Sequence, residues 1–242
     1  MTTPPARPDP SSFSAEAARA LGLRTQALLD ELGLVTDEPG RVTRTYLSPA
    51  HARSIDLVGG WMRAAGMVTS VDAVATLRGH RAADVGSGKR LLLGSHIDTV
   101  IDAGRLDGCL GVVAAIVAVE ELAKRGEVLP FAVDILAFGD EEGVRFPTAL
   151  SSSSAVSGTY RRDWFEARDR DGVTLAEALT AFGCDPAKID EARIDPAGVL
   201  GWLEIHIEQG PVLEHWGLPL GVVTSIAGQS RFSFTLQGQA GH

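Results

Sequence analysis

The fold is decided by the stretch Arg90–Asp98, which reads RLLLGSHID, an apolar run that ends in a histidine and an aspartate. Arg90–His96 predicts a strand, and Cys109–Ala123 predicts a buried helix. Pro130–Phe138 is almost continuously apolar, which is typical of a strand covered on both faces, and Leu203–Ile207 is the next predicted buried strand. This alternation predicts an α/β fold with a mainly parallel sheet and helices on both faces.

Two helices and a further strand are predicted before that stretch. Ser14 can cap a helix that Gly33 would end. A second helix begins at Ser48-Pro49, because proline is favoured at the first helical position. Met67–Leu77 then reads as one strand. The sheet is therefore expected to follow a pair of helices.

The chain is expected to divide into three parts. Residues 1–13 contain four prolines among polar neighbours and predict a disordered tail. Residues 14–211 predict the large α/β domain. Val222–Ala227 and Ser230–Gln237 read as strands joined by a turn. Residues 212–242 are therefore expected to begin a smaller α+β domain.

Composition excludes several classes of protein. Lys and Arg total 22 against 31 Asp and Glu, a net charge of −9, and no basic cluster is present, so nucleic acid is not expected as a partner. The longest apolar stretch, Cys109–Val119, is too short to span a membrane. The two cysteines, Cys109 and Cys184, indicate no disulfide framework. Without a secretory leader, the sequence predicts a cytoplasmic protein.

His96 and Asp98 lie two residues apart at the end of a predicted strand, where such side chains point to the same side. His96 could bind a metal through one ring nitrogen while Asp98 braces the ligand shell. A His-x-Asp pair by itself is more often part of a surface turn. The pair therefore needs partners elsewhere in the chain.

Three other stretches offer such partners. Asp107 precedes the buried helix, where its carboxylate could cap the helix, bridge two metals roughly 3.5–4 Å apart, or do both. Glu141 and Glu142 repel each other unless a cation or proton offsets them, so one would bind metal and the other move protons, unless both lie in a solvated acidic loop. His206 is either a core histidine or a second imidazole ligand. Since ligands on parallel strands converge where the strands end, these residues predict a two-metal hydrolase.

The chain resembles the dinuclear-metal amidohydrolases of ureido compounds, which include allantoate amidohydrolase, N-carbamoyl-L-amino-acid hydrolase and β-ureidopropionase. The resemblance rests on four motifs, Gly94–Val100, Asp107-Gly108, Phe138–Phe146 and His206–Gly210. This family is related to the zinc aminopeptidases and deacylases. The resemblance therefore implies a zinc-aminopeptidase-like catalytic domain over residues 14–211 and a lid or dimerisation domain from residue 212.

The resemblance also implies a role for each candidate residue. Two divalent ions, zinc or manganese, would be held by the metal ligands His96, Asp107, Glu142 and His206. Asp107 would bridge both ions. Glu141 would be the general base, with Asp98 as a second catalytic residue. Gln209 would bind the ureido substrate, and His242 would reach substrate from the lid across a homodimer.

The resemblance leaves several functions open. Allantoate, and with it purine catabolism, is favoured, and N-carbamoyl-L-amino acids or the β-ureidopropionase substrate are alternatives. Family members are much longer and supply a further histidine to the second metal after the lid. That histidine is absent here, so a truncated, inactive fragment with a partial metal site is an alternative of another class. A third is an aminopeptidase-like peptidase, against which the motif His206–Gly210 argues.

Overall fold

The computed structural model describes residues 14–86, 88–228, 230, 232, 234–239 and 241. The chain forms two compact units, Met1–Ile207 and Glu208–His242. The expected tail over residues 1–13 lies outside the described residues. Among the helices that the structure describes, none is both long and apolar enough to cross a membrane.

Two helices begin the first unit, and both start at the predicted caps. α1 spans Ala15–Gly33, and the Ser14 hydroxyl accepts an N–H of its first turn at 3.1 Å. α2 spans Pro49–Ala64, and the Ser48 hydroxyl accepts an N–H of its first turn at 3.2 Å. Each hydroxyl satisfies a donor that the start of a helix leaves without a partner.

Five strands form one mixed sheet in the order β1-β2-β4-β3-β5. β1–β2 and β2–β4 pair antiparallel, whereas β4–β3 and β3–β5 pair in parallel. The predicted α/β class is confirmed, with three neighbouring strands as its parallel part. The elements after α2 in this unit are β1 Val68–Val71, β2 Leu77–Arg81, β3 Arg90–His96, α3 Cys109–Lys124, β4 Ala132–Phe138, α4 Ser151–Ser157, α5 Leu175–Phe182 and β5 Val199–Leu203, with 3-10 helices at Arg162–Glu166, Pro186–Ala192 and Pro196–Gly198.

The antiparallel edge corrects one prediction, because Met67–Leu77 is not a single strand. The Asp72 carboxylate accepts the backbone N–H groups of Val74 at 3.0 Å and Thr76 at 2.9 Å, which closes a tight turn. Such a turn splits the segment into β1 and the start of β2. β2 reads LRGHR and is too polar to stand out as a strand in the sequence.

Helices α2 and α3 cover one face of the sheet, α2 over β1 and β2 and α3 over β3 and β4, and α1 packs against both helices. The opposite face is covered near β2 by the 3-10 helix Pro186–Ala192. Arg78, whose side chain leaves the sheet opposite to that of Leu77, donates there to the Ala192 carbonyl. The core between sheet and helices contains Leu29, Leu32, Val58, Met62, Leu77, Val112, Ile116 and Ile135 among others.

The second unit carries a short helix, α6, over Val212–Trp216. Its start is capped by Glu208, whose carboxylate accepts the N–H of Leu213 at 3.0 Å. The predicted strand Val222–Ala227 is wrong, because these residues have no ladder partner among the described residues and an unpaired strand is not stable. The predicted strand Ser230–Gln237 lies partly outside the described residues, and so does Gln229 of the predicted turn.

Candidate metal centre

Three segments of the first unit leave the sheet at the same edge. β3 and β4 run in parallel with His96 opposite Phe138, and β5 runs parallel to β3 on its other side. Side chains that follow the carboxyl ends of parallel strands meet at one edge of the sheet. His96, the pair Glu141 and Glu142, and His206 are therefore brought to a common place.

His206 follows β5 and does not lie within a strand, so the predicted strand Leu203–Ile207 is also wrong. The pairing of β5 with β3 ends at Leu203. Beyond it, the Ser95 hydroxyl donates to the Glu204 carboxylate at 2.5 Å, and a side-chain contact replaces the backbone ladder. The His206 Nδ1 faces the Ile207 carbonyl at 2.9 Å, which leaves Nε2 as the ligand nitrogen.

His96 is the buried centre of the cluster, with only 3% of its surface exposed. Its Nδ1 donates to the backbone carbonyl of Asp98 at 2.9 Å. The other nitrogen, Nε2, lies 3.6 Å from Asp107 Oδ1 and 3.8 Å from Glu141 Oε2. Burial lowers the pKa of His96, but the hydrogen bond and charge of Asp98 and the charge of Glu141 outweigh it and raise the pKa to about 9. These surroundings favour a positive charge at Nε2, whether a proton or a cation.

Asp107 joins the two histidines. Its Oδ1 lies 3.6 Å from His96 Nε2 and 3.1 Å from His206 Nε2, and the two imidazole centroids are 5.9 Å apart. One ligand atom from each of the three side chains falls within 4.8 Å of the others. The residue at the cap position of α3 is Gly108, so Asp107 lies one residue before the cap. Two imidazole nitrogens and a carboxylate oxygen are a donor set that fits zinc, and manganese accepts the same ligands.

Two glycines allow this close arrangement. Gly108 has φ of +64°, and a Cβ there would lie 2.4 Å from Cδ2 of the His96 ring. A Cβ on Gly111 would lie 2.4 Å from the Ile205 carbonyl oxygen. Only glycine therefore lets the start of α3 come close to His96 on one side and to the segment that carries His206 on the other.

The pair Glu141 and Glu142 lies in the turn after β4 and is held by Asp98. The buried carboxylate of Asp98 accepts the backbone N–H of Glu141 at 3.2 Å and that of Glu142 at 3.3 Å. His96, Glu141 and Glu142 form a second group of ligand atoms within 4.8 Å of one another. Burial raises the pKa of both glutamates, and the charge of His96 opposes this rise. A carboxyl with a raised pKa is suited to accept and return a proton near neutral pH.

Asp140 is a buried residue of this turn that the sequence reasoning did not single out. Its Oδ2 accepts the hydroxyls of Thr148 at 2.8 Å and Ser151 at 2.5 Å. Burial raises its pKa to about 7, against the lowering effect of the two hydroxyls. Its backbone has φ of +57°, a conformation that costs energy in a residue with a side chain. The network ties the glutamate turn to α4, and no signal in the sequence separates Asp140 from its acidic neighbours.

The predicted residues outside this cluster are Gln209 and His242. Gln209 lies in the second unit with φ of +56°. His242 lies outside the described residues. Their roles toward substrate stay predictions.

Comparisons with known proteins show relatives along most of the chain. The allantoate deiminase of Arabidopsis thaliana is 44% identical over 226 residues, which cover 91% of this chain and 43% of that protein. The N-carbamoyl-L-amino acid amidohydrolase of Geobacillus stearothermophilus is 40% identical over 91% of this chain and 54% of its own length. A crystal structure of a hydantoinase/carbamoylase family amidase from Burkholderia ambifaria superposes with a TM-score of 0.74 at 36% identity, covering 81% of this chain and 47% of that one. The chain thus spans about half the length of the curated relatives it matches.

These relatives confirm the predicted resemblance to ureido-hydrolysing enzymes. Residues 92–238, more than half of the chain, match the family model described as peptidase family M20/M25/M40, whose enzymes are metal-dependent. The matched range contains the cluster of His96, Asp107, Glu141, Glu142 and His206. The chain belongs to peptidase family M20/M25/M40.

Proposed function

We propose that the protein is a metal-dependent amidohydrolase that cleaves a ureido carbon–nitrogen bond, with allantoate as the first candidate substrate. The observation that carries this proposal is that the Nε2 atoms of His96 and His206 both lie close to Asp107 Oδ1. The Glu141 carboxylate lies beside them, near His96 Nε2. Relatives named allantoate deiminase support the choice of substrate.

Metal binding is assigned to the clustered side chains. His96, Asp107 and His206 would hold one divalent ion, zinc or manganese, and Glu142 would contribute to a second one with Asp107. A bound divalent ion lowers the pKa of water and stabilises negative charge on the substrate. The number and identity of the ions belong to this proposal.

Glu141 is assigned the proton transfer. Its side chain is 42% exposed and its Oε2 faces His96 Nε2 at 3.8 Å, so it borders both the buried ligands and the solvent. It takes a proton from the attacking water and returns it to the leaving nitrogen as the carbamoyl C–N bond breaks. Ammonia leaves, and the carbamate that remains decomposes to carbon dioxide and the amine of the rest of the substrate. Asp98 supports this step by holding the backbone of Glu141.

Substrate recognition and assembly complete the proposal. Gln209 and His242 would contact the ureido substrate, and His242 would act across a homodimer. A role in purine catabolism follows the same resemblance, and a cytoplasmic location is part of this proposal. N-carbamoyl-L-amino acids are the second candidate substrates, because relatives at 40% identity are named for them.

The test is ammonia release by the zinc- or manganese-loaded protein from allantoate and, in parallel, from an N-carbamoyl-L-amino acid. We expect Glu141→Gln to lower turnover by about 10²-fold or more while the protein still binds metal. Exposed Glu166→Gln is the matched control and should keep the wild-type rate. Near-normal turnover by Glu141→Gln would contradict the base assignment. A wild-type chain that binds metal but releases no ammonia from either substrate would contradict the proposed activity and favour the inactive form.

A further inference from the structure

The strongest feature outside the ligand cluster is Arg44, a charged side chain that is only 1% exposed. It makes no salt bridge with any residue that the structure describes. A guanidinium group is buried in this way only when other groups satisfy its donors. The hydrogen-bond partners of Arg44 therefore indicate its structural role.

One side of the guanidinium closes the end of α1. Its Nη1 donates to the Leu32 carbonyl at 3.2 Å and to the Val35 carbonyl at 2.8 Å. The last carbonyls of a helix lack partners within the helix and carry a partial negative charge, so a cation is favoured there. Arg44 is thus anchored to a long, well-packed helix.

The other contacts of Arg44 reach the segment between the metal ligands. Its Nε donates to the Ile97 carbonyl at 2.6 Å, between His96 and Asp98 in the chain. Its backbone N–H donates to the Thr99 hydroxyl at 2.9 Å, and its carbonyl accepts the Thr99 N–H at 3.0 Å. Arg44 therefore binds the backbone or side chain of Ile97 and Thr99, the residues on both sides of Asp98.

A further contact reaches α3. Arg44 Nη2 donates to Cys109 Sγ at 3.1 Å, at the first residue of α3 and two residues after Asp107. The planar guanidinium group of Arg44 therefore contacts both the segment that carries His96 and the helix that follows Asp107.

We propose that Arg44 is a positioning residue of the metal centre, which fixes the His96–Asp98 segment relative to Asp107 through the end of α1. It touches neither metal nor substrate. The inference rests on the proposed metal centre. Arginine suits this role because its planar donors are fixed relative to one another, whereas lysine offers one flexible ammonium group.

The experiment is a zinc titration of the folded protein against a chromophoric chelator, with Co²⁺ absorption as a second measurement of ligand geometry. Arg44→Met removes every side-chain donor, whereas Arg44→Lys keeps the charge but removes the planar guanidinium group. Met62→Ala, a buried residue of α2 that contacts β2, is the matched control for a general loss of packing. Circular dichroism establishes that each variant is folded.

We expect Arg44→Met to bind zinc about 10- to 100-fold more weakly than wild type and to alter the Co²⁺ spectrum. Arg44→Lys should fall between the two, and Met62→Ala should keep the wild-type affinity and spectrum. If Arg44→Met does not fold, the role of Arg44 is tested by folded Arg44→Lys, which should bind zinc more weakly than wild type. Wild-type affinity in a folded Arg44 variant, or an equal loss in Met62→Ala, would overturn the role of Arg44. A wild-type protein that binds no zinc would instead contradict the proposed metal centre.

Discussion

Lowering the pH from 7 to 5 should destabilise the fold through His51. This residue of α2 is fully buried, stacks on Phe182 with ring centroids 5.4 Å apart, and accepts the Leu47 N–H on its Nδ1 at 3.1 Å. Burial and the charge of Arg44 lower the pKa of His51 to about 4, against the opposing charges of Asp98 and Asp37. The folded protein therefore keeps a neutral imidazole in its core.

The direction of the effect follows from proton binding in the two states. An unfolded histidine has a pKa near 6.5, so below that pH the unfolded chain takes up a proton that folded His51 does not bind. Stability from this group is complete above about pH 7 and falls until about pH 4. Each tenfold change in proton affinity is worth about 1.4 kcal/mol, so the whole transition is worth about 3 kcal/mol, of which about 2 kcal/mol falls between pH 7 and pH 5.

The assay is urea unfolding at pH 7 and pH 5, with EDTA present so that metal binding does not contribute. His51→Asn keeps an acceptor for the Leu47 N–H but cannot be protonated, and it should lose about 2 kcal/mol less than wild type between the two pH values. His215→Asn, at an exposed position of the second unit, should keep the wild-type dependence. Parallel pH dependences of wild type and His51→Asn would refute the reasoning.

Two further predictions concern the frame of the site. Gly108→Ala should lower the free energy of urea unfolding by about 1–2 kcal/mol or more, because of φ +64° and the 2.4 Å approach to His96. Gly22→Ala lies in α1, where no heavy atom is within 4 Å of the new Cβ, and it should raise the free energy of unfolding. The same change in the free energy of unfolding for both glycine variants would contradict the reasoning. Ser151→Ala removes a hydroxyl from buried Asp140 and should cost about 1–3 kcal/mol in the same assay. Ser153→Ala removes a hydroxyl whose hydrogen bond to the Leu150 carbonyl is exposed to solvent, and it should cost little. No difference between the two serines would contradict the proposed network.

Local rules in the sequence were enough for much of the fold. The caps at Ser14 and Ser48 set the starts of α1 and α2, and the apolar run that ends in His96 gave the bounds of β3. Cap chemistry and hydrophobic period act within a few residues, so they can be read from a single sequence. The candidate ligands were predicted for the same reason, as metal-binding residue types at the ends of apolar runs.

What the sequence did not reveal depends on distant contacts. Arg44 reads as an ordinary surface charge, yet its partners Ile97 and Cys109 lie 53 and 65 positions away. The polar strand β2 is stabilised by pairing with β4, which comes after β3 and α3 in the chain. Neither contact leaves a periodic signal, because each depends on which segments the fold brings together.

The measurement that tests the account most directly is anomalous X-ray diffraction at the zinc absorption edge from crystals of the protein grown with Zn²⁺. We expect an anomalous peak bonded to His96 Nε2, His206 Nε2 and a carboxylate oxygen of Asp107. Zinc found only elsewhere on the molecule, or no peak beside these three side chains at saturating Zn²⁺, would contradict the claim that the strand ends converge on a metal centre.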